Sequence, residues 1–200
     1  MRKLALTDDI LMKIEKPARY IGNEVNSVMK DKTKVDIRFA MCFPDVYEIG
    51  MSHLGIQILY DMFNRREDVW CERVYSPWTD LDAVMREKKI PLFALESQDP
   101  IKNFDFLGIT IQYEMCYTNI LQILDLSGIP IKTKDRTEED PIAYRGRSLR
   151  DLSFLSESPR PPPAPKHRLT AKARRRIFSL DISAALLPPF SPMPQRLFRK

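Results

Sequence analysis

The side chains best suited to chemistry gather in one run, Cys42 to Gly55, which holds Asp45, Tyr47, Glu48, Ser52 and His53. Pro44 fixes the backbone there, and Gly50 and Gly55 free it. A shorter run, Thr110, Gln112, Tyr113 and Glu114, has the same polar character. Asp45, Glu48 and Glu114 in one cleft would suit acid and base roles, because neighbouring carboxylates drive each other's pKa values apart. The competing reading has Asp45 bonding loop amides while the two glutamates line a polar rim. Tyr47 and Tyr113 either flank a planar ligand or close the mouth of a sheet. Cys42 with His53 suggests a thiol nucleophile, but nothing orients the pair, and a small buried cysteine ending a strand is the favoured reading.

These runs fall where strands end. Val35, Ile37, Phe39, Met41 and Phe43 alternate with more polar positions, which predicts a strand leading into the first run. Leu54, Ile58, Leu59 and Met62 recur at helical spacing after it, with Ser52 placed to cap that helix and the amides of 52–54 facing any anionic or carbonyl group. Further along, the pattern predicts strands at 70–75, 92–95 and 104–112. It also predicts an Asp80-led helix bearing Leu81, Val84 and Met85, and a helix at 118–126 stopped by Gly128. Connections this long exclude hairpins, so the strands pair in parallel through right-handed crossovers, in an open, doubly wound, flavodoxin-like α/β sheet. Ligands bind such sheets outside the carboxyl ends of the strands, where strand order reverses. Ahead of the sheet, residues 1–30 form an extension in which Thr7 caps a short helix presenting Ile10, Leu11 and Ile14, ended by Pro17.

Charge divides the chain. Residues 1–144 hold 19 Lys and Arg against 24 Asp and Glu, a net −5, while the remaining residues hold 13 against 3, a net +10. Proline shifts with it: 6 of the 16 precede residue 141. The predicted α/β domain therefore spans 31–142. Residues 143–200 form a Pro- and Arg-rich tail too poor in patterned apolar residues to offset its ordering entropy, and disorder is expected there. The Arg174–Arg176 run could touch nucleic acid phosphates, but without interleaved aromatics a solvated run is favoured; an RNA-binding or interaction module is kept as the alternative function. Cys42, Cys71 and Cys116, separated by 28 and 44 residues, match neither a paired-thiol metal site nor a disulfide framework. No apolar stretch has the form of a signal peptide or membrane span, so a cytoplasmic location without membrane partners is expected.

The run Phe43-Pro44-Asp45-Val46-Tyr47-Glu48-Ile49-Gly50-Met51-Ser52-His53-Leu54-Gly55 closely resembles the amino-terminal region of a radical S-adenosylmethionine protein family. The likeness includes Lys16-Pro17-Ala18-Arg19-Tyr20 upstream, Cys71-Glu72-Arg73-Val74, Pro91 to Ser97, and Tyr113-Glu114 with Tyr117-Thr118-Asn119 downstream. It covers about residues 10–142. It implies a cobalamin-binding-like domain ahead of a radical barrel, with Asp45, Tyr47, Glu48, Gly50, Ser52, His53, Gly55, Gln112, Tyr113 and Glu114 as the candidate cofactor-binding residues and no catalytic residue of its own. His53 is either an axial cobalt ligand or, preferably, a capping histidine; the common Asp-x-His-x-x-Gly signature is not reproduced, so no protein imidazole is expected on cobalt.

Two departures limit the likeness. The family's Cys-x-x-x-Cys-x-x-Cys loop for a four-iron four-sulfur cluster is absent, so S-adenosylmethionine and the cluster belong to full-length relatives, and a separate barrel-bearing chain is the partner to expect. The strand that should follow Pro141 into Ala-Gly-Gly-Pro is replaced by Ala143-Tyr144-Arg145-Gly146-Arg147-Ser148-Leu149-Arg150. Permitted codons for those eight residues, read from the second base, spell Pro-Ile-Ala-Gly-Gly-Pro-Cys-Val. A frameshift near codon 142 is therefore expected, with a sheet incomplete at its carboxyl-terminal edge, weakened corrinoid binding, no catalysis by this chain alone, and a tendency to aggregate.

Overall fold

The computed structural model describes residues 4–137 and 139–146. Two short helices, α1 (Asp8–Leu11) and α2 (Ala18–Ile21), precede β1 (Ile37–Phe43). There follow α3 (Tyr47–Ser52), α4 (Leu54–Asn64), β2 (Val69–Tyr75), α5 (Thr79–Lys88), β3 (Phe106–Thr110), α6 (Cys116–Leu126) and β4 (Ile142–Gly146). The four strands form one parallel sheet in the order β2-β1-β3-β4. That is the strand order of a flavodoxin-like doubly wound sheet, and the expected α/β class holds.

Alternation along β1 splits the core into two layers. Ala40 and Cys42, with Val74, Leu107 and Ile109, pack against Leu81 and Met85 of α5 and Ile120, Ile123 and Leu124 of α6. Met41 and Phe43, with Cys71 and Tyr75, pack against Ile56 and Tyr60 of α4. Helices on opposite faces follow from the right-handed crossover: β1 to β2 runs one way along the sheet, β2 to β3 and β3 to β4 the other. Leu6, Ile10, Ile14 and Tyr20 of the amino-terminal segment join the first layer, so this segment is a strap across the sheet.

Four expectations are corrected. Residues 92–95 are not a strand of the sheet; Leu95 N–H donates to Arg73 O, but the Glu96 carboxylate, rather than a backbone carbonyl, receives the Arg73 N–H, and the chain turns back at Gln98 with φ 65°. A strand does follow Pro141: β4 pairs with β3 from Phe106↔Ile142 to Thr110↔Gly146, so the sheet does not stop at β3. Such pairing runs through backbone groups and tolerates the unexpected side chains there. The helix after β1 is two helices, and His53, not Ser52, caps the second, its Nδ1 accepting the Ile56 N–H at 3.3 Å. Finally, α4 turns Ile56, Tyr60 and Asn64 inward, leaving Leu54 71% and Ile58 50% exposed. Polar partners set that rotation: the Tyr60 hydroxyl accepts the Val28 N–H, and the Asn64 amide exchanges two bonds with the Cys71 backbone. The tail beyond Gly146, with its Arg174–Arg176 run, lies outside the described residues.

Candidate functional site at the carboxyl edge

β1 and β3 are neighbours whose following helices lie on opposite faces, so the crevice outside their carboxyl ends is the topological switch point. Both polar runs arrive there. Pro44 and Asp45 leave β1, and Ile111 to Glu114 leave β3. The Tyr113 hydroxyl donates to Asp45 Oδ2 at 2.8 Å, across 68 residues of sequence. Asp45 Oδ1 accepts the Val46 N–H at 2.8 Å, so this carboxylate holds the loop amide expected of it and braces Tyr113 as well. The hydrogen bond to this carboxylate pushes the Tyr113 phenol up to about 12. Asn119, from α6, donates to Pro44 O at 2.9 Å, and Ser76, at the exit of β2, donates through its N–H to Asp45 O.

The remaining candidates separate. Glu48 accepts from Arg19 Nε at 2.9 Å and pairs with Lys16, and the Arg19 hydrogen bond holds its carboxyl below the usual range. Tyr47 is half-buried and meets Tyr75 edge-on, its ring centroid 5.6 Å away, with burial raising its pKa. Gly50 is a packing position: a Cβ there would overlap the Tyr75 ring. Gly55 lies beside the His53 imidazole, and the Ser52 hydroxyl donates to Ile49 O. Gln112, Tyr113 and Glu114 are exposed at the mouth, next to Met115 and Tyr117. Cys42 is fully buried, which raises its thiol pKa and removes it as a nucleophile.

His53 cannot offer both ring nitrogens. Nδ1 accepts the Ile56 N–H and is engaged in capping α4. Among the described residues, no group of three or more His, Cys, Asp or Glu is placed to hold a metal ion. No described helix is long and apolar enough to cross a membrane.

Sequence reasoning quoted Glu72 and Arg73 but missed their role. On fully buried β2 the two point to opposite faces. Arg38 pairs with Glu72 at 2.6 Å while lying over the Phe104 ring, 4.1 Å from its centroid. Arg73, 0% exposed, pairs with Glu96, also 0% exposed, at 2.6 Å. It also donates to Asn26 Oδ1, Ser27 Oγ and Glu24 Oε2, tying the strap to the sheet. The available signal was adjacent opposite charges inside an otherwise apolar strand.

Residues 55–150 match the family described as the amino-terminal region of radical SAM proteins, a stretch that begins in α4 and takes in β2, β3 and β4. An uncharacterized protein of Methanocaldococcus jannaschii, MJ0966, is 27% identical over 85 residues, which cover 42% of this chain and 15% of that protein. The chain thus aligns with a small part of that relative's length. No solved structure matches. Residues 55–150 are thus similar to the amino-terminal region of radical SAM proteins.

Proposed function

We propose that the α/β region is the cofactor-carrying front of a radical SAM protein and receives a corrinoid across the carboxyl ends of β1 and β3, without catalysing a reaction by itself. The observation that carries this reading is the composition of the switch-point crevice. Asp45 and Tyr113 join its two walls, Gln112 and Glu114 stand exposed as hydrogen-bonding groups, and Met115, Tyr117 and Leu54 offer apolar surface nearby. Glu48 engages Arg19 and Lys16. A crevice rich in acceptors suits the amide-fringed periphery of a corrin better than a flavin phosphate.

The fit is to a ring held by its edge. With His53 Nδ1 engaged and Cys42 buried, neither supplies a donor to cobalt. Such a cofactor supplies methyl transfer or radical chemistry; this chain contributes binding and orientation. In this reading Asp45 and Tyr113 fix the spacing of the two walls, and Gln112 and Glu114 accept amide hydrogens.

Equilibrium dialysis of the full chain against cobinamide and against flavin mononucleotide tests the reading. Weak, saturable cobinamide binding, diminished in Gln112→Ala/Glu114→Ala, is expected. Flavin binding without corrinoid binding would overturn it. The same reading holds that the sequence after codon 142 is out of register, supported by the Gly-Gly motif in the shifted frame. Genomic codons that exclude Gly-Gly in that frame would end this part.

A further inference from the structure

Thioether sulfur is a weak acceptor, and a guanidinium N–H ordinarily finds oxygen. Near the end of α3, Met51 Sδ is nonetheless faced by the Tyr75 hydroxyl at 3.1 Å, by Arg73 Nη1 at 3.4 Å, and by Gln57 Nε2 at 3.9 Å. Neither of the two nearer donors can readily turn away. Arg73 is clamped by Glu96, Asn26 and Ser27, and the Tyr75 ring lies directly against the bare backbone of Gly50. Met51 as a residue is only half-buried, and Ser52 beside it is exposed.

We propose that Met51 is a site of reversible oxidation by hydroperoxides, its sulfoxide oxygen received by Tyr75 and Arg73. A sulfur lone pair bonds the terminal oxygen of the hydroperoxide as the O–O bond breaks. Sulfur loses two electrons, and the hydroperoxide's own proton passes to the departing oxygen, giving an alcohol, or water from hydrogen peroxide. Sulfoxide reductases, one for each epimer, restore the thioether with two electrons and two protons from a pair of thiols, which become a disulfide while the oxygen leaves as water. The oxygen gained is a strong acceptor among donors that the thioether satisfies poorly. Because those donors are fixed on one side of the sulfur, one epimer is favoured. The adjustment falls on the last turn of α3, whose side chain has solvent beside it. This does not depend on a cofactor at the mouth.

The full chain is treated with limiting hydrogen peroxide, and sulfoxides at Met51 and at the exposed Met12 and Met115 are measured by peptide mass spectrometry, with epimer-specific reductases assigning their hand. One epimer at Met51 is expected in at least about fivefold excess, against near-equal mixtures at the two exposed positions, with the excess reduced at least about threefold in Tyr75→Phe. Absence of Met51 sulfoxide, near-equal epimers, or an excess indifferent to Tyr75→Phe overturns the proposal. Independently of that variant's folding, Met51→Gln, whose amide oxygen imitates the sulfoxide, is expected to unfold at higher denaturant concentration than Met51→Leu. The reverse order overturns the proposal as well.

Discussion

The Tyr113 hydroxyl and the Asp45 carboxylate meet at 2.8 Å, so the exits of β3 and β1 are joined by a side-chain bond as well as by the sheet. Asp45 is thereby a structural brace of the crevice as much as a group within it. The bond stabilises the phenol over the phenolate, which is why the phenol is held near 12. In Asp45→Asn its titration is expected to fall back toward the ordinary tyrosine range, read as a difference between the alkaline ultraviolet titrations of variant and parent. An unchanged difference curve would refute the pairing.

Arg73 and Glu96 are both withdrawn from water, and each makes the other tolerable. Arg73→Met alone leaves a buried carboxylate without its partner and is expected to cost about 3–5 kcal/mol in denaturant unfolding. Arg73→Met/Glu96→Leu should recover most of that loss, since apolar groups of similar volume replace an ion pair whose desolvation is expensive. Equal destabilisation of the single and double variants would show that the strap contacts, not the charge pair, dominate.

Burial pushes the Glu96 carboxyl up to about 7 despite Arg73, and raises Glu72 as well. A carboxyl that binds its proton more tightly folded than unfolded favours the fold while protonated. Its contribution is full below the unfolded value and is lost as pH rises through the folded one. Unfolding free energy is therefore expected to decline by on the order of 2 kcal/mol between about pH 5 and pH 8, measured by urea denaturation. A steady rise over that interval would contradict the assignment.

Gly50 and Gly55 belong to one run yet answer to different constraints. Gly50→Ala forces a methyl into the Tyr75 ring and is expected to destabilise by about 1–3 kcal/mol. At Gly55 a methyl meets only the movable His53 ring, and the helical gain of alanine, about 0.5–1 kcal/mol, roughly offsets the disturbed cap. Thermal unfolding of the two variants should therefore separate clearly, and similar shifts would show that the Gly50 contact is not what the backbone requires.

Periodicity along the chain determined the parallel doubly wound class, the first strand, the Leu81 and Met85 face of α5, the Gly128 stop of α6, and the place where the two polar runs would meet. Each rests on local spacing or on crossover handedness. What the tertiary structure alone decided depends on partners distant in sequence. Asn64 and Tyr60 became inward positions of α4 because Cys71 and Val28 satisfy them, which local spacing favouring Leu54 and Ile58 does not encode. Residues 92–95 gave up a strand because a carboxylate took the edge bond of Arg73. Residues 142–146 took up a strand without the expected motif because β3 offered an open row of backbone groups, and a strand can be completed by any chain that presents its own.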